Sequence, residues 1–190
     1  MKILGIAGSP RRGGNTNRLL AEVTRGAVDK GAAVRTIFLD NLDIAACRHC
    51  DACFIAGECT INDDMQMVYR ELAEADAIVL ASPVHFMGVT AQAKAVIDRC
   101  QALWARKYIL NIAPLGDKRQ RKGLSVSVGG QKDERFFEPA LSTVKSLFIS
   151  LDIKYAGKIT FPAVDDIDAI SRQPEAFRQA YLAGQKLVTD

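Results

Sequence analysis

The sequence predicts an α/β fold built on a doubly wound parallel sheet. Two observations carry this expectation. Short apolar runs of strand type alternate five times with longer stretches of helical periodicity, the pattern of successive strand–helix–strand units. One run, Ala77-Ile78-Val79-Leu80-Ala81, is apolar throughout, as a central strand buried on both faces must be.

The elements follow in order. Residues 3–7 form the first strand and end in a Gly/Ser/Pro/Asn-rich turn over 8–16. A helix over 17–30 places Leu19, Leu20, Val23 and Ala27 on one face, and Gly31 stops it. Residues 33–39 are the second strand. The segment 40–63 has no periodicity, and its length exceeds an ordinary connection, which in a compact domain usually marks function. Asp63 or Asp64 caps a helix running to about Ala75. The central strand 77–81 leads to a loop over 82–90 and a helix over 91–104. A mixed, basic connector over 106–122 precedes the fourth strand, 123–128, which ends in Gly129-Gly130. A helix over 136–151, a strand over 154–161 and a helix over 173–188 complete the series. No repeat, linker or low-complexity tract divides the chain, so residues 1–190 read as a single domain.

Composition narrows the function. The chain is 48% hydrophobic and 25% charged, with 25 Lys+Arg against 22 Asp+Glu, which excludes disordered and fibrous classes. A net charge of +3 with no basic stripe argues against nucleic acid. No apolar run approaches the roughly 20 residues of a membrane span. The opening Met1-Lys2-Ile3-Leu4-Gly5 meets charge at once and predicts no signal peptide, so a cytoplasmic protein is expected. Five cysteines, an odd number, do not suit a secreted disulfide framework.

The first loop reads as an anion cradle. It lies at the carboxyl end of a strand and runs into a helix N-terminus, where free N–H groups favour a phosphate. Ser9, Asn15, Thr16 and Asn17 add side-chain donors, and Arg11 or Arg12 supplies charge. It is neither a Walker A loop nor a Gly-x-Gly-x-x-Gly fingerprint. A plain turn is the alternative.

Gly8-Ser9-Pro10-Arg11 followed by Asn15-Thr16 resembles the phosphate loop of the flavodoxin-like FMN reductases. The likeness covers most of the chain. Ser82-Pro83-Val84-His85-Phe86-Met87-Gly88 is similar to that family's second loop, beside the isoalloxazine ring, and Gln92, Lys94 and Asp98 continue a similar helix. Ser127-Val128-Gly129-Gly130 is similar to the third loop, near the pyrimidine edge. The resemblance implies a flavodoxin-like sheet of strand order 2-1-3-4-5 with helices on both faces, and FMN with its phosphate in the first loop. Glycines and a proline suit this role, because flavin chemistry is tuned by main-chain N–H groups brought close to the ring.

The cysteines are spaced Cys47-x2-Cys50-x2-Cys53-x5-Cys59. Four thiolates satisfy a tetrahedral zinc or a cubane iron–sulfur cluster, and a CxxCxxC run is closer to iron–sulfur ligation than to paired zinc knuckles. With its flavodoxin-like surroundings and the following Asp63-Asp64-Met65, the motif closely resembles the iron–sulfur flavoproteins. That resemblance implies one [4Fe–4S] cluster on Cys47, Cys50, Cys53 and Cys59 in an inserted loop, together with FMN. Similar cysteines in the wider reductase family have no known cluster, so a redox or structural thiol group stays open beside zinc. His49 is a donor near the cluster or a solvated loop residue. Cys100, on an apolar helix face, reads as a packing residue.

The expected function is electron transfer between a redox partner, such as ferredoxin or NAD(P)H, and a small acceptor. No catalytic side chain is expected, because the chemistry belongs to the cofactors and the chain has two histidines only, His49 and His85. The alternative is an NAD(P)H-dependent FMN or quinone reductase without a cluster. The resemblance implies a homodimer or homotetramer, with Trp104, Tyr108, Phe136 and Phe137 available either to interfaces or to the core. Arg106, Lys107, Lys118, Arg119, Arg121 and Lys122 form either a docking face for an acidic redox protein or a solvated surface.

Overall fold

A computed structural model describes residues 1–189. Five strands form one sheet: β1 (Lys2–Ala7), β2 (Ala33–Phe38), β3 (Ala77–Ala81), β4 (Arg121–Val128) and β5 (Ile153–Phe161). Their order is β2-β1-β3-β4-β5 and every pairing is parallel, the flavodoxin-like topology. β3 is central and buried at all its positions, as its apolar sequence requires.

Side-chain alternation along the strands divides the core in two. Ile3 and Ala7 face one layer, with α1 (Asn15–Val28) and α7 (Pro174–Thr189). Leu4 and Ile6 face the other, with α3 (Met65–Glu74), α4 (Ala91–Arg99), α5 (Gln101–Tyr108) and α6 (Glu138–Ser150). A short helix, α2 (Cys53–Ala56), stands within the cysteine segment.

The structure changes several sequence expectations. The stretch read as one helix over 91–104 is two, because the backbone departs from helical geometry at Cys100 (φ −66°, ψ 2°). Two long side chains on this stretch, Arg99 and Trp104, then serve different partners. α1 begins at Asn15, two residues early, so Asn15 and Thr16 belong to the helix start and not to the turn. β4 begins at Arg121, whose buried guanidinium donates to the carbonyls of Ala73 and Ala75 at 2.8 and 3.0 Å. Arg119, which stays exposed, pairs with Asp117 and Asp76, so these two arginines of the connector are tied to the protein's own carboxylates and carbonyls. Cys100 is core, 3% exposed. Among the described residues no helix is long and apolar enough to cross a membrane.

α1 and α7 cross in unusually close contact through two glycines. A methyl group on Gly26 would collide with the carbonyl of Tyr181, and one on Gly184 with the carbonyl of Val23. Neither obstacle is a flexible side-chain end, so relief requires the helices to separate. Gly184→Ala is therefore expected to lower stability by about 3 kcal/mol in denaturant unfolding. Gly116→Ala, at φ 85° with open space around it, is expected to lose only about 1–2 kcal/mol from backbone strain.

Candidate flavin cleft and cysteine loop

In a parallel sheet all carboxyl ends lie on one rim, and the loops after β1, β3, β4 and β5 meet there. They enclose a cavity of about 290 Å³. Ser9, Pro10, Arg11, Gly14, Asn15 and Thr16 line one wall, and Pro83, Val84 and His85 another. Val128, Gly129 and Gly130 line a third, facing Val164, Asp165 and Ile167. An adjoining space of about 530 Å³ is bounded by Phe86, Met87, Phe136 and Phe137, and shares Val84, Gly129, Gly130 and Asp165 with the first.

The first wall is a helix start left open. Gly13 (φ 68°) turns the chain, and the Gly14 N–H donates to the Arg11 carbonyl at 3.1 Å. Gly14 is the N-cap of α1 and no side chain caps the helix. The N–H groups of Asn15, Thr16 and Asn17 therefore precede the first intrahelical bond, made by Arg18 to Gly14 at 3.1 Å. A Cβ on Gly14 would press on the Arg11 carbonyl at 3.0 Å, so the cradle is shaped for backbone. Its donors and the exposed Arg11 suit a phosphate monoester, which accepts from several N–H groups at once.

The expected site residues divide. Ser9, Arg11, Asn15, Thr16, Pro83, Val84, His85, Gly129 and Gly130 line the cavity, and Phe86 and Met87 the adjoining space. Arg12 is turned away to Asp40 at 3.0 Å. Asn15 joins two loops, donating to the Asp166 carbonyl at 2.8 Å and accepting from Ile170 at 3.2 Å. Asn17 donates to the Arg11 carbonyl at 3.2 Å. Gly88 closes a two-residue turn with His85 through paired bonds of 2.9 Å, with Phe86 (φ 48°) and Met87 (φ 65°) both left-handed at its tip. The Phe86 ring at that tip is fully exposed. Ser127 donates to the Ser82 carbonyl at 2.6 Å.

That last bond belongs to a buried hydroxyl network that the sequence reading missed. The Ser82 hydroxyl accepts from the Thr90 N–H at 3.0 Å. The Thr90 hydroxyl donates to the Gly8 carbonyl at 2.6 Å and caps α4 by accepting from Ala93 at 3.2 Å. The loops after β1 and β3 and the end of β4 are thereby locked together. The visible signal was Thr90 directly before a helix, an ordinary cap position. The wall after β5 was also missed, although it occupies the rim where such sheets bind ligands.

All five cysteines are free thiols. The four of the loop surround the start of α2 (Cys53–Ala56), where burial raises the Cys53 pKa with smaller contributions from Cys59, Cys47 and Cys50. The Ala52 N–H and the Thr60 hydroxyl lower that of Cys50. Among the described residues no three Cys, His, Asp or Glu side chains stand close enough together to hold a metal ion. The donor chemistry nevertheless fits a four-thiolate group: four free thiols, from one loop, within electrostatic reach of Cys53. His49 is exposed, 3.8 Å from Asp51. Phe54 and Tyr108 flank Trp104 at ring distances of 6.0 and 5.3 Å, and Arg106 donates to the Gly57 carbonyl at 2.8 Å, so α5 supports the loop from beneath. Burial pushes the Cys100 thiol up to about 12, as befits a core residue.

Residues 1–131 match the model of a family described as NADPH-dependent FMN reductase. The chain belongs to the NADPH-dependent FMN reductase family. It is thus a member of a family of flavin-dependent oxidoreductases. An iron–sulfur flavoprotein of Methanocaldococcus jannaschii is 36% identical over 86% of this chain and 78% of its own length. Another, from Methanosarcina thermophila, is 35% identical over 70% of this chain and 65% of its own length. A third, from Archaeoglobus fulgidus, is 39% identical over 68% and 63%. The match spans just under two thirds of those last two proteins. The resemblance to iron–sulfur flavoproteins is borne out by this similarity. Among solved structures, a flavone reductase superposes with a TM-score of 0.74 at 23% identity, over 100% of this chain and 62% of that one. An NAD(P)H:quinone oxidoreductase from Methanothermobacter marburgensis gives 0.71 at 16% identity, over 98% of each chain. These two show the shared fold.

Two outcomes follow from this geometry. Thr90→Val removes the cap and leaves the buried Gly8 carbonyl without its donor; it is expected to lower stability by about 1–3 kcal/mol in denaturant unfolding. Burial disfavours the Asp63 carboxylate, but bonds from Arg99, Ala45 and Met65 prevail and hold its pKa below the usual range. Its stabilisation is then complete above the unfolded value near pH 4 and is lost as pH falls through the lower folded value. Limited proteolysis across 43–64 should therefore accelerate only below about pH 4.

Proposed function

We propose that this chain is an electron-transfer flavoprotein that holds FMN in the rim cavity and a [4Fe–4S] cluster on the cysteine loop. It passes electrons between a redox partner, ferredoxin or NAD(P)H, and a small acceptor. The observation that carries the reading is the open N-terminus of α1 beside Arg11, in a cavity walled by the loops after β3 and β4. Family membership supports FMN as the ligand. The names of its relatives support the cluster.

Each residue has a task in this reading. The N–H groups of residues 15–17 and the Arg11 guanidinium hold the phosphate. The backbone at 83–85 and 129–130 borders the ring and orients it. Phe86, Met87, Phe136 and Phe137 line the adjoining space, where they exclude water and admit a flat acceptor. Cys47, Cys50, Cys53 and Cys59 would hold the cluster. When bound, FMN exchanges electrons singly or in pairs and the cluster singly, so the pair joins one-electron to two-electron carriers. No side chain is required as general acid or nucleophile. Five free thiols suit a reducing, cytoplasmic setting, and the exposed Phe86, Ile55 and Ile149 suit a homo-oligomer.

One observation favours a second reading, an NAD(P)H-dependent FMN or quinone reductase without a cluster: no residue of 40–63 contributes to the cavity wall. Anaerobic purification separates the two. The first expects one FMN per chain with iron and acid-labile sulfide at about four each. A pure flavin spectrum with four titratable loop thiols selects the second. In either case Arg11→Ala is expected to weaken FMN binding about tenfold, read by fluorescence quenching, since it removes one charged donor at an exposed position.

A further inference from the structure

The cysteine loop leaves and rejoins the fold through a narrow neck. The Asp43 N–H donates to the Asp64 carboxylate at 2.8 Å, and the Asp64 N–H donates to the Asp43 carbonyl at 3.2 Å. The Ala45 N–H donates to the Asp63 carboxylate at 3.0 Å. One side chain from outside the loop is built into this neck. Arg99, the last residue of α4, has a side chain with 0% exposure. Its two terminal nitrogens fork onto Asp63 at 2.6 and 3.1 Å. The same nitrogens reach the Ala45 carbonyl at 2.9 Å and the Ile61 carbonyl at 3.2 Å.

Ala45 stands two residues before Cys47, and Ile61 two residues after Cys59. Arg99 therefore grips both limbs at the height of the first and last cysteines. Cys59 also lies within electrostatic reach of its guanidinium. Tyr69 donates to Arg99's own carbonyl at 2.6 Å and fixes the end of the helix. The arrangement is incompletely satisfied, since the Arg99 Nε is buried without an acceptor. A buried ion pair is no efficient route to stability, because desolvation offsets much of its attraction. An apolar side chain at the end of α4 could pack the helix without that penalty. What an apolar residue could not do is bridge two backbone limbs and carry a permanent charge to a thiol.

We propose that Arg99 is the positioning residue of the cysteine loop: it fixes the spacing of the limbs that carry Cys47 and Cys59, and sets a fixed positive charge against the anionic group the thiols hold. The spacing role stands on the neck alone. The charge role rests on the cluster reading; a four-thiolate cluster is anionic, and an adjacent cation raises its reduction potential.

The test uses the full chain with Arg99→Gln, Arg99→Lys and Asp63→Asn. Amide exchange is followed in the metal-free, FMN-loaded protein, and reduction potential after iron and sulfide reconstitution. With Arg99→Gln, amide exchange at Asp43, Ala45 and Asp64 should rise at least tenfold, while β3 exchange and FMN affinity stay within twofold of the parent. Arg99→Lys should loosen the neck similarly, because an ammonium lacks the fork, yet keep the reconstituted potential close to the parent's. Arg99→Gln should move that potential clearly to more negative values. Unchanged neck exchange in Arg99→Gln overturns the spacing role. Equal potentials in Gln and Lys variants overturn the charge role. If both Arg99 variants fail to fold, Asp63→Asn decides: it should loosen the same amides, and parent-like exchange refutes the clasp. A parent that takes up no iron sinks the cluster reading and the charge role with it, while the exchange result still decides the spacing role.

Discussion

A parallel sheet covered on both faces allows no strand to turn back on itself, so every strand must be followed by a crossing segment on one face or the other. In this chain β1 lies between β2 and β3, and the chain winds outward in opposite directions from it. The carboxyl ends of all five strands therefore share one rim, and a crevice opens where the winding reverses. The Gly8 N–H bond to the Ala81 carbonyl, at 2.7 Å, joins the two loops on either side of that crevice. The rest depends on this constraint. The open start of α1 sits at the crevice because β1 ends there, and the two halves of the core follow from the same alternation.

The cavity is assembled from backbone and held by buried hydroxyls. Ser82, Thr90 and Ser127 do not reach into it as ligands would; they fix the carbonyls and N–H groups around it. This division lets the wall present backbone donors without collapsing onto them. Unsatisfied donors at an uncapped helix start are a cost to the empty fold, and an anion bound there offsets it. The left-handed pair at Phe86 and Met87 is a similar local strain at the cavity edge.

α4 joins the rim cavity to the cysteine loop. Its cap, Thr90, holds the loop after β1 through Gly8, and its last residue, Arg99, holds the neck of the cysteine loop through Asp63. Nine helical residues span about 13 Å, so one rigid strut sets the relation between cleft and loop. The break at Cys100 then redirects the chain so that α5 supports the loop with Trp104 and Arg106.

The sequence alone determined what is local or periodic. Alternating strand and helix patterns placed all five strands, the fully apolar run marked β3 as central, and glycine-rich turns after β1 and β4 marked loops that line the cavity. Cysteine spacing isolated one loop as chemically distinct, and Cys100 as core. Tertiary structure decided everything that depends on distant partners. Arg12, a candidate for the cavity, faces Asp40, and Asn15 divides its amide between Asp166 and Ile170. Much of the basic run near 106–122 is spent on internal ion pairs and carbonyls. Arg99 gave no signal, because a single arginine ending an amphipathic helix looks like any solvated one. Its meaning comes from Asp63, Ala45 and Ile61, residues 36 to 54 positions away that only the folded chain brings to it. Periodicity encodes which face of an element is buried; it does not encode which polar group waits on the other side.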